Sequence, residues 1–317
     1  YQRFFDQYRD YHKRARIFRP DVLLILDECH NVYGHLEELS EFRTMVESTG
    51  CMTYLLGLSA TIDSFKVWER DNFINFMGGE ESRFEISLPS FYSRWNNANT
   101  TPVLKMIDYV PLRYKLADDE MEELKKYDRK VAIQAGRTTL EDSDIYTAAI
   151  QRSFWLRGLR GGVSSLKAYV MSHLDGISRK YTIIFVQTNE IAEEMQAFIT
   201  KQPNWNPEAS VYIYDYTRNE EYHSYALDQF KKNAGFCLLS ERMLSEGFDL
   251  PKVDMIFLHG TYKSPRDWIQ KIGRAIRFDP EEPDSTAEIV DVVFCDTSGN
   301  PLPLEKERYE TLMTISR

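Results

Sequence analysis

The sequence has no Gly-Lys pair, no Cys-x-x-Cys pair and no long apolar run, and each absence excludes something. Its four cysteines, Cys29, Cys51, Cys237 and Cys295, are scattered over 317 residues. Without paired spacing they define neither a disulfide framework nor a zinc site, and they fit a reducing, intracellular compartment (cytoplasm, nucleoid or nucleus). A membrane-spanning helix needs about 18 consecutive apolar residues, and no such run occurs. The opening Tyr1-Gln2-Arg3-Phe4-Phe5-Asp6 has no basic segment followed by an apolar stretch, so no signal peptide is visible. A basic excess is missing too, since 39 Lys+Arg against 49 Asp+Glu leave a net charge of −10. This excludes a chain coated in positive charge; nucleic-acid affinity would have to come from local basic stripes.

With 43% hydrophobic and 28% charged residues, the chain has enough apolar material for real cores, and its length suggests two domains. Residues 1–19, with aromatics at Phe4, Phe5, Tyr8 and Tyr11, read as an amphipathic helix stopped by Pro20. The apolar run Val22–Leu26 predicts a strand, followed by a helix over 36–48, a strand over 52–56 and a helix over 64–76. Ser93–Pro102 reads as a linker. Helical periodicity dominates 121–174, broken around Gly158–Gly162. Strands over 181–186, 211–214, 236–239, 255–258 and 289–294 then alternate with helices over 190–199 and 220–232. Strands separated by helices imply parallel pairing with right-handed crossovers. The expected fold is α/β: an incomplete unit over 1–105, then a more complete one over 106–317 with a helical insertion at about 118–175.

Two segments carry the chemistry. Asp27 and Glu28 follow Val22–Leu26 directly, which puts two carboxylates at the C-terminal tip of a buried strand, the usual place for a metal-nucleotide site in an open α/β sheet. Carboxylates there can offer hard oxygen to a cation or take a proton from water, although a lone Asp-Glu pair is more often simply solvated. Cys29, His30 and His35 lack metal-ligand spacing. Far downstream, Gln270-Lys271-Ile272-Gly273-Arg274-Ala275-Ile276-Arg277 spaces two guanidiniums one helical turn apart, so that both face one phosphate. Between them Gly57-Leu58-Ser59-Ala60-Thr61 offers two hydroxyls after an apolar stretch; helix capping is the plainer use of such residues.

The ordered set of the Asp-Glu-Cys-His box, Ser59-Ala60-Thr61 and Gln270–Arg277 resembles motifs II, III and VI of superfamily 2 helicases and translocases, the DEAD/DEAH-like nucleic-acid motors. Ser245-Glu246-Gly247-Phe248-Asp249-Leu250-Pro251 resembles their motif V, and Gln187-Thr188 lies where motif IV falls. The resemblance implies two RecA-like domains with ATP and Mg²⁺ in the cleft between them, the first incomplete here and the second whole. It implies Asp27 as metal ligand, Glu28 as base and Arg274 and Arg277 as fingers on the transferred phosphoryl group. Gly247, Asp249, Gln270 and Gly273 would attend the nucleotide, and His30, Ser59 and Thr61 would couple hydrolysis to movement. Gln187, Thr188 and Ser240 (a departure from the usual threonine) would touch the nucleic-acid backbone without sequence specificity.

The spelling of the acid box, the long helical stretch before motif IV and the Gln-x-x-Gly-Arg-x-x-Arg ending look more like DEAH-related DNA helicases than DEAD-box RNA proteins, so DNA is favoured over RNA. The motor of a restriction or antiviral system and an RNA helicase remain alternatives. A non-catalytic scaffold is disfavoured because Asp27, Glu28, Arg274 and Arg277 are all retained. Arg152, Arg157, Arg160 and Lys167 in the helical stretch are surface cations that either grip a duplex or are simply solvated. ATP binding in such motors uses a Gly-x-x-x-x-Gly-Lys-Ser/Thr loop, and this sequence lacks one. Tyr1-Gln2 resembles a stretch that precedes the acid box in relatives. The chain is therefore expected to be part of a longer polypeptide and to lack ATPase activity alone.

Overall fold

The computed structural model describes residues 22–26, 29–48, 52–59, 67–79, 81, 83, 86–95, 104–135, 142–206, 210–215, 217–232, 237–240, 253–260 and 265–316. The chain divides into two compact units, residues 1–86 and 87–317. The expected helix over 1–19 lies outside the described residues.

In the first unit, β1 (Val22–Leu26) runs parallel to β2 (Thr53–Gly57), with Leu24 opposite Leu55. A 3-10 segment (Cys29–His35), α1 (Leu36–Glu47) and later α2 (Val67–Phe76) are the other regular elements among its described residues. Leu39, Phe42 and Val46 repeat at helical spacing along α1, so one stripe is buried with Leu26, Val32, Tyr33 and Phe73.

The second unit opens with α3 (Leu88–Trp95), which replaces the start of the expected linker. Then come β3 (Met106–Lys115), α4 (Asp118–Ala135), α5 (Asp142–Arg157), α6 (Arg160–Ser172), α7 (Leu174–Ile177), β4 (Thr182–Phe185), α8 (Asn189–Thr200) and β5 (Val211–Tyr214). The unit finishes with α9 (Glu220–Lys232), β6 (Cys237–Ser240), β7 (Met255–His259), α10 (Pro265–Ile272), β8 (Thr286–Cys295) and α11 (Pro303–Ile315). The sheet order is β3-β8-β7-β4-β6-β5, with every recorded pairing parallel.

Both faces of this sheet are covered, as an all-parallel sheet requires. Ile184, Phe257, Val290, Val292 and Phe294 point to one face, under Leu166 and Val170 of α6 and Ile191, Met195 and Ile199 of α8. Ile183, Phe185, Ile256, Leu258 and Ile289 point to the other, under Phe230 of α9, Trp268 and Ile272 of α10, and Leu312 and Ile315 of α11. Alternate residues of one strand thus enter opposite cores. Each fully buried Ile or Phe contributes about 1.5–3 kcal/mol.

The free edge at β5 is closed by side chains: Gln196 Nε2 donates to Val211 O (2.6 Å) and Tyr222 Oη accepts from Ile213 N (3.4 Å). At the other edge, β3 carries Pro111, whose missing N–H costs no ladder bond there. That proline, mid-strand, breaks the sequence pattern, which is why β3 is not legible from periodicity.

The helical stretch expected as an insertion divides in two. α4 and α5 pack on each other, with Tyr127 and Trp155 stacked at 5.5 Å and Arg152 paired with Asp128 at 2.8 Å. α6 instead belongs to the sheet: a side chain at Gly161 would enter the Tyr114 ring, and one at Gly162 would come within 3.2 Å of Phe294. The glycines at 161–162 therefore allow α6 to lie close against β3 and β8, besides marking a helix break.

Candidate functional site

In parallel strands all carboxyl ends emerge on one side, and in such sheets ligands are bound there. β4 delivers Gln187 and Thr188 to that side, β6 ends at Ser240 and β7 ends at His259 and Gly260. Gln187 is buried and its Nε2 donates to His259 O at 3.1 Å. It occupies the space beside Gly260, whose φ of 124° is one that only glycine holds without strain. Gln187 therefore braces the edge from within. Thr188 caps α8 by accepting a bond from Ile191 N at 3.3 Å, and it is half-buried. The side chain of Ser240 lies outside the described residues.

His259 is fully buried, and among the described residues neither ring nitrogen has a hydrogen-bond partner. Burial holds its pKa down, at about 4, so the ring is neutral near pH 7. No local pattern marks this residue; an isolated His at the end of an apolar strand has no motif around it.

α10 follows from this edge. Its apolar residues Trp268 and Ile272 enter the core, and Lys271 sits over the Phe185 ring with Nζ 5.1 Å from the centroid. Gln270 is half-buried. The two arginines are not on one continuous helix: α10 ends at Ile272, and residues 273–276 continue as tight turns. Gly273 N donates to Ile269 O (2.8 Å) and Arg274 N to Lys271 O (3.1 Å), while Lys105 N donates to Ile276 O (2.8 Å). A bridge between Leu104 and Arg277 then ties the segment to the approach of β3. Arg274 is 9% exposed, whereas Arg277 is open to solvent.

In the first unit, Asp27, Glu28 and Thr61 lie outside the described residues, as does the His30 side chain. The flanks of the acid box are defined: Leu58 N donates to Leu26 O (2.9 Å), and Cys29 N donates to Leu58 O (2.8 Å). These bonds bring half-buried Ser59 to the strand ends beside Leu26 and Cys29. Cys29 is buried against Gly57, where an added carbon would sit 3.1 Å from its Sγ. Gly247 and Asp249 also lie outside the described residues.

Of the surface cations, Arg160 and Lys167 share Glu194 (2.5 and 2.6 Å), and Arg152 pairs with Asp128. The side chain of Arg157 lies outside the described residues. Among the described residues no cluster of three or more metal-ligating side chains occurs, and no helix is long and apolar enough to cross a membrane.

The fold class is α/β with parallel strands flanked by helices, as in RecA-like helicase C-terminal domains. Residues 166–279, from mid-α6 to just past Arg277, match the family described as the helicase conserved C-terminal domain. A fragment described as an HsdR subunit of a type I restriction enzyme from Vibrio vulnificus YJ016 is similar at a TM-score of 0.52 and 16% identity, over 88% of this chain and 49% of that one. The ATP-dependent Type ISP restriction-modification enzyme LlaBIII, bound to DNA, is similar at 0.50 and 16%, over 96% of this chain and 20% of that one. This chain thus spans about half of the first and a fifth of the second. No curated protein sequence matches.

Proposed function

We propose that the whole protein is an ATP-driven nucleic-acid helicase or translocase, acting on DNA in preference to RNA through backbone contacts. The observation that carries this reading is the helicase C-terminal domain match over residues 166–279. It coincides with the carboxyl edge that presents Thr188 and leads into Gln270–Arg277. Asp27 would hold Mg²⁺, which would supply positive charge to the nucleotide's phosphates, and Glu28 would accept a proton from the attacking water. Arg274 and Arg277 would balance the charge that develops on the transferred phosphoryl oxygens. Gln270, Gly273, Gly247 and Asp249 would shape the nucleotide's second side, and His30, Ser59 and Thr61 would relay hydrolysis to movement. Thr188 and Ser240 would meet phosphates of the nucleic acid, with Gln187 holding the edge that presents them.

A second reading is the motor of a restriction system, in which translocation rather than strand separation is the output; it is supported by the restriction-enzyme descriptions of both similar structures. The test is phosphate release by the full-length protein with Mg²⁺, alone and with duplex DNA, single-stranded DNA or RNA. DNA is expected to raise the rate most, and Glu28→Gln to lower it by about 10²–10⁴. Turnover indifferent to every nucleic acid, or unaffected by Glu28→Gln, sinks the reading. Displacement of a third strand without duplex opening selects the restriction-motor form.

A further inference from the structure

α11 is fastened to the sheet by a charged cluster with almost no solvent access. Asp291 of β8 and Glu305 of α11 are fully buried, and Arg308 of α11 is 1% exposed. Arg308 Nε donates to Asp291 Oδ2 at 2.9 Å and Arg308 Nη2 to Glu305 Oε2 at 2.5 Å. Tyr109 of β3 donates its hydroxyl to the same Asp291 Oδ2 at 2.8 Å. Two acids therefore face one guanidinium, which leaves one negative charge too many where water does not reach. Among the described residues, Asp291 Oδ1 and Glu305 Oε1 have no hydrogen-bond partner. Burying uncompensated charge is costly enough that such a group takes up a proton instead.

We propose that the Asp291–Glu305–Arg308 cluster is a proton-dependent clamp: with one proton on Glu305 it is neutral and holds α11 against β3 and β8, and loss of that proton loosens α11. Glu305 is the acid that carries the proton. Among the described residues, Asp291 takes two hydrogen bonds on one oxygen, whereas Glu305 takes one, from Arg308, with the Phe294 backbone as a smaller influence that favours its charge. Burial pushes the Glu305 pKa up from 4.5 to about 7, with Asp291 adding to the rise and Arg308 opposing it. Four described ionisable groups near the cluster are themselves neutral or already engaged. Tyr109 is held neutral by burial and by Asp291, and Cys295 of β8 is likewise held as the thiol by burial. Arg113 of β3 is committed to the Tyr309 hydroxyl and ring, and Tyr92 of α3 to Lys105 O.

The sign follows from the two states. Unfolded, Glu305 ionises near 4.5; folded, near 7. Its stabilising effect is complete below 4.5 and is lost as pH rises through 7, by up to about tenfold in the opening equilibrium per pH unit. His259 acts oppositely over part of this window, so the readout has to be a ratio between proteins at each pH. Amide hydrogen exchange in α11 and in β4 is compared between the full chain and Glu305→Gln from pH 5 to 8. The wild-type-to-variant ratio of opening constants in α11 is expected to climb by up to about tenfold per pH unit to about pH 7 and then level off, with β4 changing less. A ratio in α11 that is flat with pH, or equal changes in α11 and β4, overturns the clamp. Should the variant not fold, NMR titration of the wild-type Glu305 carboxyl decides: a midpoint near 7 supports the clamp and one near 4.5 overturns it.

Discussion

Replacing Gly260 with alanine tests the close approach that shapes the carboxyl edge of the second unit. Two costs arise together. A φ of 124° forces an L-residue into a region only glycine uses freely, which costs of order 1–3 kcal/mol. The new carbon would also stand 2.5 Å from Gln187 Nε2 and 2.7 Å from its Cδ. Gln187 has little freedom to yield, because it is buried and bonded to His259 O. Overpacking of this kind adds about 1–3 kcal/mol. The single variant should therefore lose about 2–6 kcal/mol in urea unfolding of the chain, followed by tryptophan fluorescence and circular dichroism. Gln187→Ala alone should lose about 1 kcal/mol from its hydrogen bond, plus the space it leaves. The double variant should lose less than the two singles combined, by about 1–3 kcal/mol, because only the backbone strain survives once the glutamine is gone. Additivity within about 0.5 kcal/mol, or a loss below about 1 kcal/mol for Gly260→Ala, would refute the bracing role.

Further outcomes are expected for the same molecule. This chain by itself should show no nucleic-acid-stimulated ATP hydrolysis, since it has no Gly-Lys phosphate loop; robust turnover by the purified chain contradicts that. In the full-length protein, Arg277→Ala should slow ATP turnover by about 10³-fold or more while leaving the unfolding midpoint of the second unit in place, because Arg277 is exposed. Arg274→Ala should do both, since Arg274 is buried; equal midpoints for the two variants would contradict this assignment. His259 has an ordinary pKa of 6.5 and a folded value of about 4, so the stability it confers is complete above 6.5 and drains as pH falls towards 4. His259→Leu should flatten that acid limb in thermal scans, and an unchanged limb counts against a buried neutral ring.

Much of the second unit was legible because its strands are short, continuous apolar runs between amphipathic helices. Val211–Tyr214, Met255–His259 and the 3.6-residue stripe Ile191–Ile199 needed no tertiary information. β3 was hidden by Pro111, which an edge position tolerates. α3 was hidden by the polar run that follows it. α11 carries its buried Glu305 and Arg308 on what a pattern would read as a polar face, so its role was invisible until Asp291 and Tyr109 stood beside it. For the candidate site, spacing named the residues but not their setting. Gln187 reads as a polar tip, yet it is spent on His259 O. Arg274 and Arg277 read as one face of a helix, yet the helix stops before them and divides them between buried and exposed environments.

The bond from Lys105 N to Ile276 O, with the Leu104–Arg277 bridge beside it, stitches the arginine segment to the root of a ten-residue strand. Those guanidiniums are consequently part of the chassis, not passengers on a flap. To carry that stretch of backbone nearer to or further from any phosphate, the sheet has to travel with it.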